Sequence, residues 1–193
     1  ETPYNDMVEY VGETTLGKSR AFNEQEVFPF SYALKYMMDE IDADSLRGIA
    51  IFNGYSNHIY LDLMARYSCF YSADIICGTT QALFDTRKQV ERYALKNINI
   101  YDCPASSILT CISRPVHTFI VLPFNSNFAM LRSTPDYFLR VNQSMYDSLL
   151  KGEAEALEEA CDSVEDNGQL IYAIPTLSNK EGHGIVESFL SKH

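Results

Sequence analysis

Two small groups of residues have side chains that could support catalysis or metal binding. Ser56, His58 and Asp62 are the residue types of a hydrolase triad, while Glu181 and His183 could supply two ligands to a metal ion. The triad is disfavoured because the stretch GYSN, which contains Ser56, lacks the second glycine of a nucleophile elbow. For Glu181 and His183, the favoured interpretation is exposure to solvent at the start of a helix. We therefore predict neither a hydrolase nor a metal site.

The cysteines are the other residues that could react. They are odd in number and widely spaced, and none forms a CxxC pair, so they indicate neither a zinc site nor a redox dithiol. Reduced thiols in the core of an intracellular protein are favoured over disulfides. The cysteines are Cys69, Cys77, Cys103, Cys111 and Cys161.

Composition limits the partners that this chain can attract. The 193 residues are 46% hydrophobic, which is enough to form the core of one domain. The formal net charge is −11, so the chain as a whole repels a phosphate backbone. No apolar run approaches the roughly 20 residues that a membrane span needs. Binding to nucleic acid therefore requires a local basic surface, and no membrane contact is predicted.

Hydrophobic periodicity alternates between helical and strand patterns along the chain. Strands separated by helices predict right-handed crossovers and a parallel sheet that is covered on both faces, which is a three-layer α/β fold. In such a sheet, ligands bind at the carboxyl ends of the strands. The predicted strands cover residues 48–52, 73–77, 98–101, 116–122 and 169–174, and the predicted helices cover residues 28–41, 59–67, 81–94 and 142–164.

The loops at the carboxyl ends of these strands do not indicate a nucleotide cofactor. A turn that cradles phosphate needs several glycines, and the loop after the first strand has only Gly54. Gly78 follows the second strand, where a ribose-binding site usually has an acidic residue. We therefore expect no bound cofactor.

Two stretches in the second half of the chain read VHTFIVLPFNSNFAMLRSTPDYFLR and, after a predicted helix, GQLIYAIPTLSNKEGHGIVESFLSKH. They resemble the RsmB/Nop2/Sun family of RNA cytosine-5 methyltransferases. The resemblance implies a Rossmann-like class I methyltransferase sheet that lacks the final strand pair, in one domain over 1–193 with a helical lead-in over 1–46 and a βαβ core over 47–193. The matching residues are Leu131, Arg132, Pro135, Asp136, Gly168, Leu170, Tyr172, Thr176, Leu177, Glu181 and Val186.

The resemblance also implies that the family's chemistry is lost. That chemistry needs a cysteine thiolate as nucleophile and a second cysteine that helps to release the product. Pro175 stands at the nucleophile position and Asn125 at the helper position. The acids of the family's site are replaced by Ile51, Gly78 and Leu122, while Asp102 aligns, within about two residues, with the acid near the cofactor adenine. The vestigial pocket is expected near Asn53, Gly54, Gly78 and Asp102.

A chain that keeps the fold and loses the chemistry is interpreted as a pseudoenzyme. We expect a structural or assembly subunit of a ribonucleoprotein, with ribosome biogenesis in the mitochondrion favoured over the nucleolus or cytoplasm. By analogy with one family member, a helical-repeat protein of the transcription-termination-factor family is a candidate partner, and rRNA is another. The alternative is a divergent S-adenosylmethionine-dependent RNA cytosine-5 methyltransferase.

Two charged surfaces are candidates for contacts with such partners. The compact basic cluster is expected to contact RNA, and the acidic helix near the carboxyl end is expected either to dock on a basic protein or to be a solvated face. The basic residues are Arg87, Lys88, Arg92 and Lys96, and the acidic residues are Glu155, Glu158, Glu159 and Asp162.

Overall fold

The computed structural model describes residues 36, 39–41, 48–54, 72–92, 95–126, 142–174, 176 and 178–193. Within these residues, five strands form a single parallel sheet: β1 (Ile49–Asn53), β2 (Ala73–Cys77), β3 (Ile98–Asp102), β4 (Val116–Leu122) and β5 (Val164–Tyr172). Their order across the sheet is β3-β2-β1-β4-β5, and every neighbouring pair is parallel. The predicted α/β fold is confirmed.

The central strands are buried on both faces, as their continuous apolar sequences predict. Every residue of β1 and β2 is buried, and in β4 only His117 is partly exposed. Isoleucine is frequent in these strands because β-branched side chains pack well on a pleated surface. The edge strand β3 is less buried, with Asn99 and Asp102 exposed to solvent.

Four α-helices are described: α1 (Thr80–Arg92), α2 (Ile108–Cys111), α3 (Gln143–Cys161) and α4 (Ile185–Leu190). A 3₁₀ turn (Ala105–Ser107) precedes α2, and a π-helical turn (Lys180–Gly184) precedes α4. Asn142 caps α3, because its side chain accepts a hydrogen bond from the amide of Met145 at 2.9 Å. The helix predicted over 59–67 and most of that over 28–41 lie outside the described residues, as does most of the lead-in over 1–46.

Helices cover both faces of the sheet. Cys77 points toward α1, where its thiol contacts the Thr86 hydroxyl at 3.6 Å. Neighbouring residues of a strand point to opposite faces, so Ile76 faces the other side. There it belongs to one buried cluster with Phe119 of β4 and Ala160 of α3. The helices and the sheet therefore form three layers. In the described part of the chain, no helix is long and apolar enough to cross a membrane.

Strand β5 begins at Val164, five residues before the predicted start of residue 169. The polar residues of this segment look like a turn in the sequence, but they form an irregular part of an edge strand. The register with β4 shifts between the pairs Val116–Val164 and Thr118–Gln169, and Asn167 has a positive φ of 64°. Gly168 is required here, because a Cβ atom at this position would lie 2.6 Å from the carbonyl oxygen of His117.

Candidate functional site

The carboxyl ends of the five strands meet at one edge of the sheet, which we call the crevice edge. Asn53 of β1 lies between Cys77 of β2 and Leu122 of β4, and Cys77 lies beside Asp102 of β3. The chain adds strands on one side of β1 up to β3 and then crosses to β4 on the other side. Ligands of open α/β sheets bind where the strand order reverses in this way. The crevice edge between β1 and β4 is therefore the candidate site.

Gly54 brings the loop after β4 directly onto the end of β1. Its amide donates a hydrogen bond to the carbonyl oxygen of Leu122 at 2.8 Å. A Cβ atom on Gly54 would lie 2.2 Å from the backbone nitrogen of Phe124 and 2.6 Å from the carbonyl carbon of Pro123. The single glycine of this loop is thus used for close backbone packing.

The space beside Gly78, which aligns with the ribose-binding acid, is filled. The amide of Gly78 donates to the carbonyl oxygen of Asn53 at 3.0 Å. A Cβ atom on Gly78 would lie 2.9 Å from the ring of Phe52 and 3.3 Å from the Cα atom of Gly54. A carboxylate side chain could not enter at this position unless Phe52 moved.

The four residues expected to mark the vestigial pocket are brought to one edge, but they differ in exposure. Asn53 and Gly54 are buried and Gly78 is half-buried, while Asp102 is exposed at the tip of β3. Asp102 is separated from Asn53 by β2. Asp102, which aligns with the acid near the cofactor adenine, is therefore the one residue of these four that is exposed to solvent.

The two positions that align with the family's cysteines have no thiol. Asn125 is buried, and its side-chain amide donates to the carbonyl oxygen of Pro123 at 3.2 Å. Pro175 lies outside the described residues. This part of the crevice edge therefore offers an amide where a helper thiol would be needed.

The described cysteines do not supply a thiolate from elsewhere. Cys77 is free but buried, and burial raises the pKa of its thiol. Cys161 is also free, and burial raises the pKa of its thiol as well. Cys161 is the last residue of α3, so it lies near the amino ends of the strands and away from the crevice edge. Cys103 and Cys111, which are eight residues apart in sequence, form a disulfide. The expectation of reduced thiols is therefore wrong for this pair.

Glu181 has a role that its sequence context does not predict. It is fully buried, and its carboxylate accepts hydrogen bonds from the amide and the hydroxyl of Ser126, both at 2.7 Å, and from the hydroxyl of Thr176. Ser126 follows β4 and Thr176 follows β5, so one carboxylate ties together the two loops that would carry the family's cysteines. The expected solvent exposure of Glu181 is therefore wrong, and the only signal in the sequence was its match to the family's glutamate.

His183 is exposed, as expected, and it pairs with Glu187 at 2.9 Å. It does not join Glu181 in a shared site. In the described part of the chain, no group of three or more metal-ligating side chains comes together. Ser56, His58 and Asp62, the disfavoured triad, lie outside the described residues.

A second buried carboxyl group lies beneath the same loops. Glu153 of α3 is fully buried, and neither of its oxygens has a hydrogen-bond partner among the described residues. Burial, with an added contribution from the negative charge of Glu181, raises the pKa of Glu153 to about 8. Tyr172 donates its hydroxyl to the carbonyl oxygen of Glu181 at 2.9 Å, and burial raises the pKa of its phenol. At neutral pH, Glu153 is therefore mostly an uncharged acid.

The basic cluster lies on the surface. Arg87, Lys88 and Arg92 are exposed on α1, and Lys96 is exposed just before β3. Phe84 is also exposed on α1, with 63% of its surface accessible. Sequence reasoning missed this residue, because a phenylalanine within an amphipathic helix is normally counted as core.

The acidic residues of α3 are engaged with their own chain. Glu155 pairs with Lys151 at 3.5 Å, and Glu159 accepts a hydrogen bond from the amide of Leu109 at 3.1 Å. Glu158 contacts Lys192 at 2.7 Å and His193 at 2.8 Å, and these hydrogen bonds lower the pKa of Glu158. The fourth residue of the acidic set, Asp162, directly follows α3 and lines a cavity of about 190 Å³ at the opposite end of the sheet from the crevice edge.

Comparison with known proteins relates this fold to methyltransferases. No protein-family model matches the chain. A segment of 62 residues is 31% identical to the ribosomal RNA small subunit methyltransferase B of Thermus thermophilus, covering 32% of this chain and 16% of that protein.

Solved structures extend the likeness to nearly the whole chain. PH0851 superposes with a TM-score of 0.78 at 15% identity, over 94% of this chain and 41% of that one. NSun6 from Pyrococcus horikoshii, solved with SFG, gives a TM-score of 0.70 at 15% identity, over 92% and 45%. The SAH-bound methyltransferase PaMTH1 of Podospora anserina gives 0.57 at 12% identity, over 100% and 80%.

These likenesses confirm the predicted fold: the chain has the Rossmann-like sheet of class I methyltransferases. The chain spans less than half the length of the Thermus relative, PH0851 and NSun6.

Proposed function

We propose that this chain uses its methyltransferase fold to bind RNA and does not carry out the two-cysteine methylation of cytosine. The observation that carries this proposal is the crevice edge, where a buried Asn125 stands at the helper position and Phe52 fills the space beside Gly78. Covalent catalysis at C6 of cytosine needs a thiolate within reach of the base. Neither free thiol of the described residues, Cys77 or Cys161, meets that requirement.

RNA as the ligand is supported by two independent observations. The Thermus relative carries ribosomal RNA in its name. In addition, α1 and the residue Lys96 expose four cationic side chains on a chain whose formal net charge is −11. A local basic surface of this kind is what an acidic protein needs to contact a phosphate backbone.

A protein with these properties would act as a structural or assembly subunit of a ribonucleoprotein. Ribosome biogenesis, with rRNA as ligand and a helical-repeat protein of the termination-factor family as partner, is the concrete form that we propose. The mitochondrion is the favoured compartment, with the nucleolus and cytoplasm as alternatives. Imaging of the tagged protein in its native cell distinguishes these compartments.

The second candidate is a divergent S-adenosylmethionine-dependent RNA methyltransferase that uses other residues. The comparisons favour this candidate more directly than an assembly role, because the relatives are named as methyltransferases. One feature of the chain also favours it. The exposed carboxylate of Asp102 stands at the tip of β3, where it could accept hydrogen bonds from a nucleoside.

Calorimetric titration with S-adenosylmethionine and S-adenosylhomocysteine, alongside RNA binding measured by fluorescence anisotropy, separates the two candidates. For the first candidate we expect RNA binding without saturable heat from either cofactor. Saturable cofactor binding tighter than about 100 μM, or about 5.5 kcal/mol, would instead support the second candidate. A chain that binds neither RNA nor cofactor would refute both.

A further inference from the structure

Phe84 is exposed in a way that core packing does not explain. The buried residues of α1 are Ala82 and Thr86, and Phe84 stands two residues from each of them. Two residues correspond to a rotation of about 200° around an α-helix, so the ring projects from the face opposite the core. With 63% of its surface accessible, Phe84 loses the hydrophobic stabilisation that a buried ring would provide.

Two cations share the face of α1 that carries this ring. Arg87 follows Phe84 by three residues and Lys88 by four, and residues at these spacings are neighbours on the surface of a helix. Both side chains are exposed. We call these three residues the Phe84 patch. The patch combines an exposed aromatic face with two positive charges on a chain that has 26 acidic and 15 basic side chains.

We propose that the Phe84 patch binds single-stranded RNA, with the Phe84 ring stacked on an unpaired base and with Arg87 and Lys88 contacting the phosphates on either side. This inference rests on the proposed RNA-binding function and names the form of RNA that the surface recognises. Stacking on an aromatic side chain accepts any base, because every base has a π-face. The bases of a duplex are already stacked on each other, so only unpaired bases are free to contact a protruding ring.

The position of α1 connects the patch to the crevice edge. The helix begins at Thr80, two residues after Gly78, and the hydroxyl of Thr79 caps it by accepting a hydrogen bond from the amide of Ala82 at 3.1 Å. Phe84 lies in the second turn of this helix. A strand of RNA bound to the patch would therefore lie next to the carboxyl ends of β2 and β3.

The stacking contact can be tested by substituting Phe84 in two ways. Phe84→Ala removes the ring, and we expect it to weaken binding to a short single-stranded RNA by about 5- to 150-fold, as loss of one base stack does. Phe84→Trp keeps an aromatic ring and places a single tryptophan in a chain that otherwise has none. We expect this variant to retain affinity and its fluorescence to be quenched when RNA binds.

The ionic contacts need their own variant and controls. The plot of log K for RNA binding against log salt concentration has a negative slope. Arg87→Ala/Lys88→Ala should make this slope shallower by about 1.4, because single strands release about 0.7 counterion for each phosphate contact. Leu190→Ala is the matched apolar control, since Leu190 is 65% exposed on α4. Lys151→Ala/Lys180→Ala is the matched basic control, since both lysines are exposed away from the patch. Neither control should change binding.

The outcomes separate this inference from the function on which it rests. Weaker binding by Phe84→Ala, with quenching in Phe84→Trp and a preference for single-stranded over duplex RNA, supports the inference. RNA binding that Phe84→Ala leaves unchanged would overturn the inference while the proposed function stands, and would point to protein docking as the role of the ring. Failure of the unmodified chain to bind RNA would overturn both.

Discussion

Replacing Glu153 by glutamine should remove a large part of the pH dependence of stability of this protein. Burial is the main cause that raises the folded-state pKa of Glu153 to about 8 from an ordinary value of 4.5. The negative charge of Glu181 adds to the rise, and the nearby hydroxyl of Tyr172 opposes part of it. Glutamine has nearly the same shape and does not titrate.

The sign and size of the effect follow from this pKa. The folded state keeps the proton of Glu153 up to about pH 8, whereas the unfolded chain releases it near pH 4.5. Between these values the unfolded state binds fewer protons, so the free energy of unfolding falls as pH rises, by about 1.4 kcal/mol per unit. The contribution of Glu153 to the free energy of unfolding is fully present below pH 4.5, and about 5 kcal/mol of it is lost above pH 8.

Urea unfolding of the original chain and of Glu153→Gln, followed between about pH 5 and pH 9, measures this loss directly. The difference between the two curves cancels the contributions of those titrating groups that do not interact with Glu153. Glu155→Gln is the matched control, since Glu155 lies on the same helix and 40% of its side chain is accessible. Parallel pH profiles for the original chain and Glu153→Gln would refute the reasoning.

Substitutions at two further positions, Gly54 and Glu181, test the packing of the crevice edge. Gly54→Ala should lower the free energy of unfolding by about 1–3 kcal/mol, because the new Cβ atom would lie 2.2 Å from the backbone of Phe124. Gly182→Ala, whose new Cβ atom would meet no atom within 4 Å beyond its chain neighbours and its own helix, should change it little, and equal effects of the two variants would contradict this expectation. Glu181→Ala should cost at least about 1–3 kcal/mol, because it leaves buried donors of Ser126 without an acceptor. Glu181→Gln retains one acceptor oxygen and should cost less; unchanged urea midpoints for both Glu181 variants would show that the two loops do not depend on this carboxylate.

The strands that are buried on both faces could be predicted, and so could the partly exposed edge strand β3. Strands β1, β2 and β4 are short continuous apolar runs, and α1, which follows β2, has 13 residues and is long enough to show a helical period. The start of β5 could not be predicted, because Glu165, Asp166 and Asn167 are polar and one of them has a positive φ. An edge strand exposes such residues to water without a large cost, so hydrophobic patterning does not reveal it.

Some features of the candidate site can be predicted from the sequence, and others are seen only in the structure. The replacement of the family's acid by Gly78 is visible in the sequence, but the ring of Phe52 that occupies the space is visible only in the structure. The burial of Glu181 depends on Ser126, which is 55 residues away in sequence. Local patterns carry no information about such a distant partner. The disulfide between Cys103 and Cys111 was missed for the related reason that spacing alone does not fix a pairing.

The most direct test of the central claim is a methyl-transfer assay on RNA that the protein demonstrably binds. The chain, saturated with single-stranded RNA rich in cytosine, is incubated with S-adenosylmethionine that carries a radioactive methyl group, beside a two-cysteine methyltransferase as positive control. We predict bound RNA that carries no label above background. Label on C5 of cytosine would contradict the claim, because it would require a nucleophile that the described crevice edge does not offer.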